Sequence, residues 1–341
     1  MLCRCTSIRH KSSGITIETP LLVPSFSSKG FAFKGGKSEV ATIVNTAAEV
    51  ITGVFLISAF DIAKKHLPSP RDLPMKPELI ILDSGGYEVS EESDLSEVIL
   101  PEPKSVKWSL PELKSVLDAW PDEMPAIFVS YDHPEERKPL SDQIAAAREL
   151  FRTRRSQLHC FLIKQEKSGQ SLKEAFTSAV AQADEFGSFD VVGLTEKGLG
   201  SSPLQRMIRI TKLRRALDEA NLKNIPLHVF GSLDPISVSL YFIAGAEIFD
   251  GLTWLRYVFV KDDKTFKDQC VYIHGYATFE YGVHMKDTHQ KLRVMTDNYY
   301  YLLDLTERLK HFQSNEDFSK LPHPEFMKEA SEKLQRELNK T

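Results

Sequence analysis

Three aspartates stand where short apolar runs end, and carboxylates gathered on one rim are what the cleavage of a glycosidic bond uses. Asp83 follows Leu79-Ile80-Ile81-Leu82, Asp132 follows Ala126-Ile127-Phe128-Val129-Ser130-Tyr131, and Asp250 follows Ala246-Glu247-Ile248-Phe249. The first of them opens the tetrad Asp83-Ser84-Gly85-Gly86. It sets a carboxylate and a hydroxyl beside two units of backbone without side chains, where a flat ligand can lie close to the main chain. Each aspartate alone reads equally well as a helix cap or a loop turn. Taken together, in order and at strand ends, they point to a site.

The elements that must position these residues alternate between apolar, β-branched runs and helical or polar segments. Eight such runs are expected as strands: Leu21 to Pro24, Ile51 to Ser58, Leu79 to Ser84, Ala126 to Asp132, His159 to Gln165, Phe189 to Leu194, Pro226 to Gly231 and Ala246 to Asp250. Eight units argue for an α/β fold of the (β/α)8 TIM-barrel class, whose chemistry sits at the C-terminal ends of the strands. Helices are expected over Ser141 to Ser156, Ser171 to Phe186 and Pro203 to Ala220, with a shorter one opening at Asp234-Pro235, a cap followed by proline at the first helical position. The domain expectation is a catalytic barrel over 1–251, interrupted by an insertion at 88–124, and an aromatic-rich segment with C-terminal helices over 252–341 packed on it. The 88–124 excursion carries an acidic run and Pro101, Pro103 and Pro111 and follows a strand, so it reads either as a lid or as a surface decoration. Within 252–289, Gly275-Tyr276 and Tyr281-Gly282 suggest hairpin turns, and one long helix is expected over Thr288 to Gln313, with another over Pro324 to Asn339.

Composition excludes several classes. The 341 residues are 42% hydrophobic and 26% charged, enough for a large core, and no stretch reaches the roughly 20 apolar residues of a membrane span. The N-terminus lacks the apolar run of a signal peptide, so the expectation is a cytoplasmic protein without a membrane partner. Four cysteines, Cys3, Cys5, Cys160 and Cys270, are too scattered for a disulfide framework or a spaced zinc site, so no metal and no cofactor are expected. A net charge of −4 gives no global footprint of a nucleic-acid binder. Local basic clusters exist at Arg152, Arg154 and Arg155 and along Arg206 to Arg215, and these read as phosphate tracks or as solvated helix faces.

The segment Asp83-Ser84-Gly85-Gly86-Tyr87 resembles the Asp-Ser-Gly-Gly-aromatic signature of the tRNA-guanine transglycosylase superfamily, and Ile248-Phe249-Asp250 with Arg256 downstream resembles its nucleophile strand and following loop. Ile17-Glu18-Thr19-Pro20, Val191-Val192-Gly193-Leu194 and Tyr299-Tyr300-Tyr301-Leu302-Leu303 agree, and the resemblance runs over about the first 313 residues. It implies Asp250 as the nucleophile that forms a covalent link to the sugar and Asp83 as general acid/base for the departing base. It also implies Asp132 on the N–H edge of a guanine, Gln165 and the backbone N–H of Gly193 on the base carbonyl, and Tyr87 stacked near a flipped base. Ser84 and Gly85 belong to the same binding loop, and Arg256 is the strongest candidate for a phosphate contact.

Departures from the family pattern shape the expectation. Gln165 is followed by Glu166-Lys167 where the tRNA enzymes carry two glycines, and Thr195 to Gly200 does not match the segment that holds a deazaguanine substituent. The family's Cys-x-Cys-x-x-Cys and histidine are missing, with Asp297 near the usual histidine, which weakens the case for tRNA. The resulting expectation is cleavage or exchange of a base in nucleic acid, DNA favoured over tRNA, with a free deazaguanine base as second substrate, as in the bacterial branch that modifies DNA. Two alternatives stand beside it. One is a hydrolytic DNA glycosylase that excises a modified base, for instance in phage defence; the other is a non-catalytic partner subunit.

Overall fold

The computed structural model describes residues 2–29, 33–34, 37–48, 50–74, 76–90, 107–166, 171–264, 267–272 and 287–340. Its centre is an eight-stranded parallel sheet. The strands are β1 (Leu21–Pro24), β2 (Val54–Ser58), β3 (Leu79–Asp83), β4 (Ala126–Val129), β5 (Leu158–Ile163), β6 (Val191–Thr195), β7 (Leu227–Phe230) and β8 (Ile248–Gly251). They follow one another in chain order around the sheet, β8 pairs with β1, and the remaining gap between β1 and β2 is bridged by Ser25 against Leu56. The result is a nearly closed barrel of the (β/α)8 TIM-like class.

Strand parity divides the core. Val23, Leu56, Ile81, Val129, Cys160, Leu162, Val191, Phe230 and Ile248 point inward and pack together, while the alternate residues face the surrounding helices. Both faces are apolar, as parallel strands sandwiched between a filled interior and a helical layer must be. An antiparallel hairpin of Ser7–Arg9 with Thr16–Glu18 closes the floor, its Ile8 and Ile17 joining Leu79 and Leu158 at the N-terminal ends of the strands.

Helices form where their capping signals stand. Asp234 accepts hydrogen bonds from the N–H groups of Ile236 and Ser237, Pro235 fills the first position, and Gly245 ends the Pro235–Ala244 helix in the left-handed conformation. Ser171 and Glu174 form a reciprocal capping box at the start of Leu172–Ala181, and Ser202 caps Pro203–Glu219. Several expected elements are shorter than the sequence suggested: the helix expected over Ser141 to Ser156 ends at Phe151, the strand expected over Ala126 to Asp132 ends at Val129, and the one expected to Gln165 ends at Ile163. The strand expected from Ile51 begins at Val54, because the carbonyls of Thr52 and Gly53 turn to Glu78, and the helix expected to run to Phe186 ends at Ala181, with a 3-10 turn over Ala183–Ser188.

The described part of the 88–124 insertion includes a helix, Leu110–Asp118, packed on Ala59–Ala63. The expected turns at Gly275-Tyr276 and Tyr281-Gly282 lie outside the described residues, as does Lys167. Asp287–Asn315 is one long helix lying against β1, and Pro324–Leu338 packs on the Pro203–Glu219 and Pro235–Ala244 helices. No helix among the described residues is long and apolar enough to cross a membrane, and none of them forms a group of three His, Cys, Asp or Glu side chains that could hold a metal.

Candidate active site

The C-terminal mouth of the barrel opens into a cavity, and Asp83, Asp132 and Asp250 all line it, with Ser84, Gly86 and Tyr87. Parity explains two of the three: Ile81 and Ile248 point inward, so the residues two further on do too. Asp250 is 5% exposed and both its oxygens are held. Nε2 of the buried His228 lies 2.9 Å from Oδ1, and the Ser25 hydroxyl donates to Oδ2 at 2.7 Å. His228 is in turn stacked on Phe230, ring centroids 3.7 Å apart. A carboxylate gripped at both oxygens has one orientation, which is what an attacking group needs.

Asp83 sits in a different environment. Burial raises its pKa to about 6, helped by the charge of Asp250, against the Gly85 N–H that donates to it at 3.0 Å. Around pH 6 it is poised both to give and to take a proton.

The glycines of the tetrad serve packing more than ligand approach. Gly85 has φ +89°, and a Cβ there would lie 2.8 Å from Phe60 and 3.0 Å from Trp108. Trp108, from the insertion, donates its indole N–H to the Ser84 carbonyl at 2.9 Å, so the insertion braces the loop that carries Asp83. Gly85 is therefore covered and does not line the cavity, contrary to the expectation of open backbone at both glycines. Gly86 does line it, pressed against the Asp132 backbone. The Ser84 hydroxyl accepts the Asp132 N–H at 3.2 Å and ties the two loops together.

Four other expectations are altered by the structure. Asp132 is not an open edge for a guanine: Arg137 meets its two oxygens at 2.8 and 3.1 Å, and Lys164 reaches Oδ2 at 3.0 Å. Burial alone would raise the Asp132 pKa, but Lys164 and Arg137 outweigh it and hold the carboxyl below its usual range. Gln165 falls on the outward parity of β5 and lines an adjoining cavity beside Ala175 and Phe176, whereas Lys164 takes the inward place. Gly193 lies within β6 below the cavity, and a Cβ there would be 2.6 Å from the Phe230 ring and 3.2 Å from Cys160 Sγ. Its absent side chain makes room for Phe230 against His228, and its backbone does not face the cavity. Arg256 ends the short Thr253–Arg256 helix, half-buried, and does not line the cavity.

The basic cluster at Arg152 and Arg154 follows the Leu140–Phe151 helix and leads into the N-terminal end of β5, at the floor. There Arg152 pairs with Glu149 and Arg154 with Asp118. It does not line the cavity at the mouth.

The sequence reading missed His228, Ser25, Lys164 and Glu88. Strand parity counted back from Asp250 and Phe230 is the signal that finds His228. Nothing local marks Glu88, which lines the cavity on the turn after the tetrad, bonded to the hydroxyls of Ser27 and Ser58. Glu196, also in the wall, accepts from Tyr241 at 2.7 Å and from Arg206 at 3.4 Å and is structurally committed.

The chain matches no family model, and no curated protein matches it.

Proposed function

We propose that the protein is an enzyme that breaks the N-glycosidic bond of a nucleotide in nucleic acid, DNA in preference to tRNA. The observation that carries this reading is the pair Asp83 and Asp250 in one cavity with different surroundings, Asp250 oriented by His228 and Ser25, Asp83 partly buried with its pKa raised to about 6. In the first step an Asp250 oxygen bonds to C1′ as the C1′–N bond breaks. The electron pair leaves on the base nitrogen, which takes the proton of Asp83. The Asp83 carboxylate then deprotonates the second nucleophile, whose attack on C1′ releases Asp250. That nucleophile is a free base, such as a deazaguanine, in exchange, or water in hydrolysis.

The ion-paired Asp132 favours hydrolysis as a second reading. A returning guanine-like base needs acceptor oxygens that Arg137 and Lys164 already occupy, whereas water needs none. Incubating the protein with DNA and with tRNA, with and without added 7-deazaguanine bases, and measuring released base and alkali-labile abasic sites, tests both. Base release accompanied by incorporation identifies exchange, abasic sites alone identify hydrolysis, and neither on any polynucleotide refutes the proposal.

A further inference from the structure

Glu88 is the acid of the cavity that the two-carboxylate scheme leaves without a task. Its turn, Gly86–Val89, carries it into the same wall as Asp83 and Asp250. Each of its oxygens meets a serine hydroxyl, Ser27 at 2.6 Å and Ser58 at 2.8 Å. Ser27 Oγ already accepts the Lys29 N–H at 3.1 Å, and Ser58 Oγ, as a helix cap, accepts the Phe60 N–H at 3.2 Å. Each hydroxyl thus uses one lone pair for that N–H and donates its hydrogen to Glu88, so both carboxyl oxygens accept from the protein. While both serines donate to it, a proton on Glu88 is free for an acceptor in the cavity that the residue lines.

We propose that Glu88 is a binding residue of the cavity that presents its own acidic hydrogen to an acceptor atom of the bound nucleotide, a base carbonyl oxygen, a ring nitrogen or a sugar oxygen. This rests on the reading that the cavity takes a nucleotide. The groups facing Glu88 supply the reason for it to keep a proton. Asp61, on the Ala59–Ala63 helix, is buried and held by the Ser28 N–H and by His66; Asp83 comes from β3, and Asp250 from β8 lines the same cavity. The nearby cation, Lys29, donates to the carbonyls of Tyr87 and Ser90 and lies over the Tyr87 ring. Burial first, then the charges of Asp61 and Asp83, raise the Glu88 pKa to about 8, against the two serine hydroxyls. The residue is a donor at neutral pH and a repelling anion in alkali.

Glu88→Gln keeps a donor in place and cannot titrate; Glu88→Ala removes it. The probe is a fluorescent DNA oligonucleotide. Binding by wild type should weaken about tenfold or more between pH 7 and pH 9, Glu88→Gln should bind within about threefold of wild type at pH 7 without that loss, and Glu88→Ala should bind about tenfold more weakly at pH 7. The same alkaline loss in Glu88→Gln, or unimpaired binding by Glu88→Ala, overturns the proposal.

Thermal unfolding without nucleic acid is the second readout. A carboxyl whose pKa is raised by folding binds more protons folded than unfolded, so stability is lost as pH rises from its ordinary value of 4.5 to about 8. Wild type should lose stability relative to Glu88→Gln across that window and no further above it; a pH-independent difference overturns the proposal. Base release scored in parallel separates the two ideas: release without a Glu88 effect removes this inference alone, and a Glu88 effect on binding without release removes the glycosidic reading alone.

Discussion

Glu247 and Asp250 are buried carboxylates three residues apart on one strand run, at opposite ends of the barrel. Glu247, at the floor, accepts from Thr6 at 2.7 Å and from Thr19 at 3.0 Å under the N-terminal hairpin, with Arg214 at 4.0 Å. Asp250, at the mouth, is held as firmly by His228 and Ser25 but opens into the cavity. The same residue chemistry is spent on closure at one end and left facing a ligand at the other. What distinguishes them is what covers them, a β-hairpin at the floor and nothing from the barrel's own strands at the mouth.

That contrast can be broken by substitution. Asp250→Asn should lower base release by about 10⁴-fold or more with thermal stability little changed, because it removes the covalent route while the neighbours stay in place. Substantial turnover by this variant would mean that Asp250 is another structural acid like Glu247. Asp83→Asn should cost about 10²- to 10⁴-fold, the usual contribution of a placed proton donor. With Asp83 required in its protonated form in the free enzyme, kcat/KM of wild type should fall as pH rises through about 6, and rapid-quench assays across pH 5 to 8 would show whether it does. Its stability contribution has the same sign: the folded pKa lies above the ordinary 3.8, so wild type loses stability relative to Asp83→Asn as pH rises from about 4 to 6.

His228→Phe keeps the stack on Phe230 and deletes the bond to Asp250. The expected loss is about 10²-fold in kcat with KM nearly unchanged, partly restored in His228→Gln, since a misplaced attacking group costs that much. Equal loss in both variants would assign His228 to folding alone. The smallest effect on rate, and the sharpest on stability, belongs to the floor. Glu247→Ala removes the shared acceptor of Thr6 and Thr19 and the anion beside Arg214, which keeps Asp218, and should cost about 1–3 kcal/mol in denaturant unfolding while base release by the folded fraction is unchanged.

The barrel class and the order of its strands were legible in the sequence, their ends only to within about three residues. Eight apolar runs separated by amphipathic helices leave few ways to bury both faces of a parallel sheet, and caps such as Asp234-Pro235 act within their own turn. It also placed Asp83 and Asp250 on one rim, because strands that run parallel end on the same side. Tertiary structure decided the rest. A strand apolar on both faces, such as Leu158–Ile163, does not show in its composition which residues face inward, so whether Gln165 or Lys164 enters the cavity was hidden until the neighbours fixed the parity. The engagement of Asp132 by Lys164, the bond from His228 to Asp250 and the contacts of Glu88 with Ser27, Ser58 and Asp61 each join elements distant in the chain. Charge state depends on burial and on the charges nearby, and both exist only once the barrel has closed.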